Sequence, residues 1–413
     1  MDAVRKNWAG NYEFRASRVH VPQSVAEVQE IVGGVSSLKA TGTRHSFNEI
    51  ADTTGDQISL EKLTRMSLDA TSRTVAAGAG VTYGQLSAYL YRHGFALHNL
   101  ASLPHISVAG ACATATHGSG SKNGNLSTAV SGMEMVTANG DIVQLTREEL
   151  PSMAVHLGAL GVVTSLTLDV RPAFDMRQSV YENLPFEQLE GHLEEIFASG
   201  YSVSLFTDWQ NHRATQVWIK DRADAEFPGD FFGAKRATRN LHPLPGFSAE
   251  HCTEQMGVPG PGCERLPHFR MNFTPSGGDE LQSEYFVPRD KGYEAILAVE
   301  ELRDRITPHL FITELRTIDA DDLWMSTCYQ RASLGIHFTW KPEWEAVRKI
   351  LPAIEEKLAR LDARPHWAKL FTMRPARLQA LYPKLPDFKT LCKIQDPNGK
   401  FRNDYLNINL YKQ

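Results

Sequence analysis

Cysteine is sparse in this 413-residue chain: five residues, Cys112, Cys252, Cys263, Cys328 and Cys392, lie far apart and form no C-x-x-C pair. An odd, scattered set excludes a disulfide framework and a thiolate zinc site as expectations, so the thiols read as free. Long apolar runs are missing too. No stretch approaches the roughly 18 residues of a membrane span, and Met1-Asp2-Ala3-Val4-Arg5-Lys6-Asn7-Trp8 carries no apolar signal core. The expectation is a cytoplasmic protein. Basic clusters are absent and the formal net charge is −5, which argues against a nucleic-acid partner, because phosphate binding wants a basic face. His45, His98, His105 and His117 show no H-E-x-x-H or comparable ligand spacing, so no metal is expected. A G-x-G-x-x-G fingerprint is also lacking. Gly78-Ala79-Gly80-Val81-Thr82-Tyr83-Gly84 has one residue too many between its last glycines and begins no complete βαβ unit, so a tight turn is preferred to a dinucleotide fold there.

What is present describes a globular protein, 42% hydrophobic and 22% charged, and too long for one ordinary core. Ser24 with Glu27, ahead of Val28, Ile31 and Val32, predicts a capped helix, and Lys39-Ala40-Thr41 then leads into Gly42. Thr82 with Gln85 repeats the capping pattern before Leu86, Tyr89 and Leu90, with Gly94 placed as the C′ residue. Val130 to Val143 predicts two strands about Asn139-Gly140. Val162 to Val170 predicts a strand closing a first domain at Arg171-Pro172. Beyond it, strand-like runs at 201–206, 215–220, 283–287, 310–317 and 335–340 are interleaved with helical patterns at 293–304 and 344–361. Pro- and Gly-dense 241–267 reads as a long irregular loop. A second, α+β domain with a mainly antiparallel sheet is expected. No internal repeat, exposed coiled coil or apolar interface is evident, so a monomer is expected.

Several segments carry candidate chemistry. Thr41-Gly42-Thr43-Arg44-His45-Ser46-Phe47-Asn48 combines a glycine turn with an imidazole. His45 suits attack on a cofactor, and it equally suits an ordinary hydrogen-bonded histidine. Ser107 to Gly120 is nearly all small residues, whose backbone can approach a pyrophosphate and whose N–H groups can form an anion nest without lysine. A close-packed buried turn has the same composition. Glu314-Leu315-Arg316 and His337-Phe338-Thr339 each present two polar groups on one strand face, because residues i and i+2 point the same way. Four such groups line either a pocket for a polyol or a solvated sheet face with a Glu–Arg pair. Lys369, within His366-Trp367-Ala368-Lys369-Leu370-Phe371, is either modulated by aromatic burial or snorkels to water.

The chain resembles the alditol oxidases, the xylitol and sorbitol oxidases among flavoproteins of the vanillyl-alcohol-oxidase type, over nearly its whole length. The resemblance is carried by Gly42 to Asn48, Ala101 to Gly110, Thr116-His117-Gly118-Ser119-Gly120, Gly158 to Thr164, Ser202 to Trp209 and His337-Phe338-Thr339-Trp340. It implies an α+β, two-domain VAO/PCMH-type fold. Residues 1–172 would form an FAD-binding domain of two α/β subdomains, 173–372 a cap domain with an antiparallel sheet flanked by helices, and 373–413 a tail returning to the first domain. It implies FAD bound covalently through His45. Ala40, Thr41, Gly42, Thr43, Arg44, Ser46, Ser102, Ser107, Gly110, Ala113, Thr114, Ala115 and Thr116 would surround the cofactor, with Val163 and His366 as further contacts. Substrate would meet Ser102, Glu314, Arg316, His337, Thr339 and Lys369, with Arg316 and Lys369 stabilising alkoxide charge. Proton acceptance falls to Lys369, or to His337 through Glu314. The implied reaction oxidises a terminal CH–OH of a polyol, with molecular oxygen reduced to hydrogen peroxide. An aldonolactone or sugar dehydrogenase with another electron acceptor is the alternative. Thr43 and Arg44 stand where some relatives have small residues, and Cys112 and Ala115 vary the small-residue run.

Overall fold

The computed structural model describes residues 5–271, 273 and 279–412. Near the start, the Ser24 side chain accepts a hydrogen bond from the Glu27 N–H and opens the helix Val25–Gly34, satisfying one of the orphan donors of a helix terminus. The Glu27 carboxylate returns to the Gln23 N–H, one residue ahead of the cap. Val28 and Val32 bury this helix's apolar stripe against Leu38 and Ile58. Those two belong to a parallel sheet of three strands, ordered Arg18–His20, Asp56–Ser59, Leu38–Thr41.

The second capping signal is reciprocal: Thr82 and Gln85 exchange side-chain bonds with each other's backbone N–H at the start of Tyr83–Arg92. Gly94 follows the C-cap at φ +79°, the left-handed conformation glycine adopts freely. Leu86 and Leu90 of this helix join Val75, Met133 and Leu166 in the main core. The strands behind them form a five-stranded antiparallel sheet, ordered Met66–Asp69, Thr74–Gly78, Val162–Asp169, Val130–Val136, Ile142–Leu145. The hairpin at Asn139-Gly140 is present, but its turn runs from Thr137 to Asp141 and the Gly140 N–H closes it on the Thr137 carbonyl. Only Gly140 of the pair takes positive φ.

After Arg171-Pro172 comes a nine-stranded antiparallel sheet. Its path runs Lys235–Arg236, Asp175–Pro185, Arg213–Arg222, Ser202–Thr207, Leu310–Ile318, Ser333–Trp340, Leu281–Pro288, Arg364–Pro365, and Gly260–Pro261 pairs onto Asp175–Pro185. Two elements here were not expected from the sequence, the strand Asp175–Pro185 and the helix Glu187–Phe197. The strand is buried at consecutive positions on both faces, so alternation is lost. The helix starts without a side-chain cap and breaks helical geometry at His192. One face of the sheet is closed by the helices Glu187–Phe197, Gly292–Glu300 and Trp344–Ala359, whose Leu189, Ile196, Ile296, Ile350 and Leu358 share a core with Leu205, Leu315 and Ile336. The helix expected at 293–304 is interrupted after Glu300 and resumes as a single turn, Arg303–Ile306. Residues 241–267 hold only short turns and the two-residue strand Gly260–Pro261.

The last forty-odd positions return to the beginning. Leu378, Leu385, Phe388 and Leu406 enter the main core, and Phe401 packs with Val28 and Val32. Lys39, 1% exposed, donates its amine to the carbonyls of Gly158 at 2.9 Å and Phe401 at 3.2 Å. Lys400 reaches the carbonyls of Val32 and Ala138 in return. Among the described residues, no helix is long and apolar enough to cross a membrane.

Candidate functional site

A cavity of about 560 Å³ separates the glycine turn and small-residue run from the uncovered face of the nine-stranded sheet. Its first wall comes from Ala40 to Ser46, Ser107, Gly110, Ala113, Thr114, Thr116 and Val163. Facing it are Glu314, Arg316, His337 and Thr339, with Ser102, His366 and Lys369 at the sides. Ala115 is the expected cofactor residue that the structure turns elsewhere. It is fully buried in the main core at φ +56°, and that left-handed backbone carries its methyl away from the cavity.

Gly42 explains how two distant segments meet. A Cβ there would lie 2.1 Å from Ser107 Oγ, so a larger residue would force the serine hydroxyl out of its place. The Ser107 N–H donates to Thr43 Oγ1 at 3.1 Å, and Thr43 Oγ1 lies 3.0 Å from His45 Nδ1. Arg44 takes φ +61°, a strained conformation for a side chain with a Cβ, and re-aims the next residue. His45 stacks on Trp8 at 5.0 Å with 17° between planes. Its Nε2 is buried without a partner. Burial pushes the ring down to about 4, so the imidazole is neutral at pH 7. An orphaned ring nitrogen, a cradle that any Cβ would fill and a wall of small residues all fit the expected FAD.

The opposite wall is set by strand register. Glu314 pairs with His337, and His337 pairs with Glu284, so three polar residues form one cross-strand row. The next row toward one end is Ile312, Thr339 and Gln282, and toward the other Arg316, Gly335 and Phe286. Arg316 crosses the space over Gly335 to bond Glu284 Oε1 at 2.9 Å, and its other arm donates to Ser102 Oγ at 3.2 Å. Lys369 donates to Glu284 Oε2 at 2.7 Å and lies 2.6 Å from His337 Nδ1. His337 Nε2 meets Thr339 Oγ1 at 3.2 Å.

The expected route from His337 through Glu314 is not made. Glu314 Oε1 instead bonds His268 Nε2 at 2.8 Å, and His268 Nδ1 lies 2.9 Å from Lys220 Nζ. The carboxylate beside His337 is Glu284, 3.6 Å from Nδ1. Sequence reasoning missed Glu284, Gln282, His268, Lys220 and His117. The alternation Leu281-Gln282-Ser283-Glu284-Tyr285 held the signal for the first two. His268, beside the proline-rich segment, had none, and Lys220, at the end of the strand run 215–220, had nothing to mark its partner.

Charge is balanced locally. Burial alone would raise Glu284, but Lys369, His117 and Arg316 outweigh it and hold the carboxyl well below the usual range. Glu314 is likewise held low, with Arg316 and His268 overriding burial. Burial lowers Lys369, opposed chiefly by Glu284. Lys220 falls to about 7 and His268 to about 4, both chiefly by burial. His117, Glu284 and His366 bring ligand-type atoms within 4.8 Å of one another. Glu284 is already neutralised there by Lys369 and Arg316, whose charges would repel a metal ion.

These buried rings have a thermodynamic consequence. Burial pushes His98, His156, His268 and His337 each to about 4, below the ordinary value of 6.5. The unfolded chain then binds more protons between those limits, so their contribution is present above pH 6.5 and lost as pH falls toward 4. Each ring contributes up to about 1.4 kcal/mol per pH unit in that window. The melting temperature is expected to fall steeply from pH 6.5 to 4.5. A flat profile across that range would show that the rings are not held neutral.

Comparison with known proteins matches residues 16–146 to a family model described as an FAD binding domain, and residues 279–409 to one described as D-arabinono-1,4-lactone oxidase. An alditol oxidase of Streptomyces sp. (strain IKD472 / FERM P-14339) is 47% identical over 98% of this chain and 99% of its own. An L-gulono-1,4-lactone dehydrogenase of Mycobacterium tuberculosis is 27% identical over 98% of each. Among solved structures, a cholesterol oxidase from B. sterolicum superposes with a TM-score of 0.79 at 14% identity, covering 98% of this chain and 96% of that one.

Proposed function

The chain belongs to the alditol oxidase family of FAD-binding oxidoreductases, and from that premise we propose that it oxidises the terminal primary alcohol of polyols such as xylitol and sorbitol to the aldose, reducing O2 to H2O2. The observation that carries the reading is the pair Arg316 and Lys369, two cations facing the cofactor wall across one cavity with Glu284 behind both. FAD, when bound, supplies the hydride acceptor for the alcohol carbon and passes the electron pair to oxygen. In this proposal residues 1–172 and 373–413 hold the cofactor, 173–372 cover it, and His45 is its covalent attachment point.

Arg316 and Lys369 hold the alcohol oxygen and stabilise negative charge as it develops there, an effect strongest where water is excluded. Ser102, Thr339 and Glu314 orient further hydroxyls, and Glu314 is itself fixed by His268. The 2.6 Å contact of Lys369 with the neutral His337 ring gives the hydroxyl proton a path away from the alcohol, and because burial pushes that ring down to about 4 it relays the proton rather than holding it. Four buried free thiols and one partly buried support a reducing, cytoplasmic setting. The proposed protein is a monomer.

Peroxide release across xylitol, sorbitol, mannitol and glycerol, with monosaccharides and lactones as controls, tests the reading. Peroxide formed in step with aldose from a polyol is expected. Turnover of lactones alone, with a dye in place of oxygen, would select the lactone dehydrogenase alternative, which the 27% identical L-gulono-1,4-lactone dehydrogenase represents.

A further inference from the structure

Glu284 is 1% exposed, yet it sits where charged side chains of several elements converge. Its strand, Leu281–Pro288, lies between Ser333–Trp340 and Arg364–Pro365. One carboxylate oxygen accepts from Arg316 at 2.9 Å and lies 3.2 Å from His117 Nε2; the other accepts from Lys369 at 2.7 Å. A buried ammonium survives as a cation only with a partner. The groups facing Lys369 and Glu284 are Arg316 and Glu314 from Leu310–Ile318, His337 from Ser333–Trp340, His366 from the segment of Lys369, and, on the Glu284 side, His117 from the small-residue run. Arg316 repels the ammonium, the histidines are neutral, and Glu314 is committed to His268 and Arg316. Glu284 is therefore the carboxylate in contact with the amine.

We propose that Glu284 is a positioning residue: it keeps Lys369 cationic, aims Lys369 and Arg316 together at the substrate oxygen, and so sets the upper pH limit of the reaction. This rests on the reading that those two cations meet the alcohol. Glu284 acts on the reaction only through them. Removing its charge leaves Lys369 facing Arg316 without a carboxylate in contact, Glu314 acting on it only from further away, so the amine loses its proton at lower pH.

Glu284→Gln in the holoenzyme tests this in two ways. Anaerobic flavin reduction by xylitol, followed against pH, is expected to slow at least about tenfold at pH 8, with the alkaline limb moved down by about one pH unit or more. Glu284→Asp, which restores the charge, is expected to return the limb toward its original position, and it carries the same comparison should the glutamine variant not fold. The second measurement needs no turnover: acetic anhydride labelling of Lys369, read by mass spectrometry across pH, is expected to begin at lower pH in the glutamine variant. Labelling that rises at the same pH in both proteins overturns the proposal. So does slower reduction with an unmoved pH profile, which would reduce Glu284 to packing. If the parent enzyme reduces its flavin with no polyol, the alcohol reading fails, while the labelling still decides the role of Glu284.

Discussion

His45→Ala is expected to abolish retention of flavin by the polypeptide after acid precipitation, whereas the parent protein should carry its flavin into the pellet. His45 lies in the turn that Gly42 allows to touch Ser107, its ring is braced by Trp8 and Thr43, it lines the cavity, and its Nε2 is buried without a hydrogen-bond partner. Burial keeps the ring unprotonated, and a neutral imidazole is the form that can attack an electrophilic carbon. The small-residue wall is untouched by the substitution, so the variant should still bind FAD, as a yellow protein that loses all its colour on denaturation. Flavin released completely from the parent protein on denaturation would refute the covalent attachment. Retention by the alanine variant would place the attachment on another residue.

Lys369→Ala should leave the flavin attached and slow its anaerobic reduction by xylitol by about 10²- to 10³-fold, the usual cost of deleting one charged donor aimed at developing oxyanion charge. The cost is also electrostatic. Without the ammonium, Glu284 keeps Arg316 and His117 as partners but loses its 2.7 Å contact, and an anion buried beside the reacting oxygen opposes charge there. The effect should fall mainly on the reduction rate and less on binding, because the interaction strengthens in the transition state. Reduction at the parental rate would remove Lys369 from the chemistry.

Much of this site was legible as residue types at fixed offsets. Period-two alternation placed Glu314 with Arg316 and His337 with Thr339, and the register then set Glu314 directly opposite His337. The two helix caps, Ser24 and Thr82, are local devices and were readable for that reason. What pattern reading lacked was the third strand of the row. Glu284 is separated by long connections from the residues it serves, and nothing within its own segment marks a carboxylate as buried and doubly paired. Lys220 and His268 were hidden more deeply, since their meeting depends on an irregular loop folding under a strand. Ala115 failed for a different reason: composition said small residue, but only the backbone angle tells which way a methyl points.

The closing tail also imposes an order of events on synthesis. The amine of Lys39, beside the cofactor wall, finds one of its two acceptors in Phe401, 362 positions later in the chain. The Leu38 N–H finds its own in Lys400. A nascent chain making domains from its N-terminal end therefore emerges with the floor of this cavity open and a buried-lysine site still wet. All nine strands of the large sheet precede Phe401 in the chain, so Lys39 gains its second acceptor only after every one of them has been made.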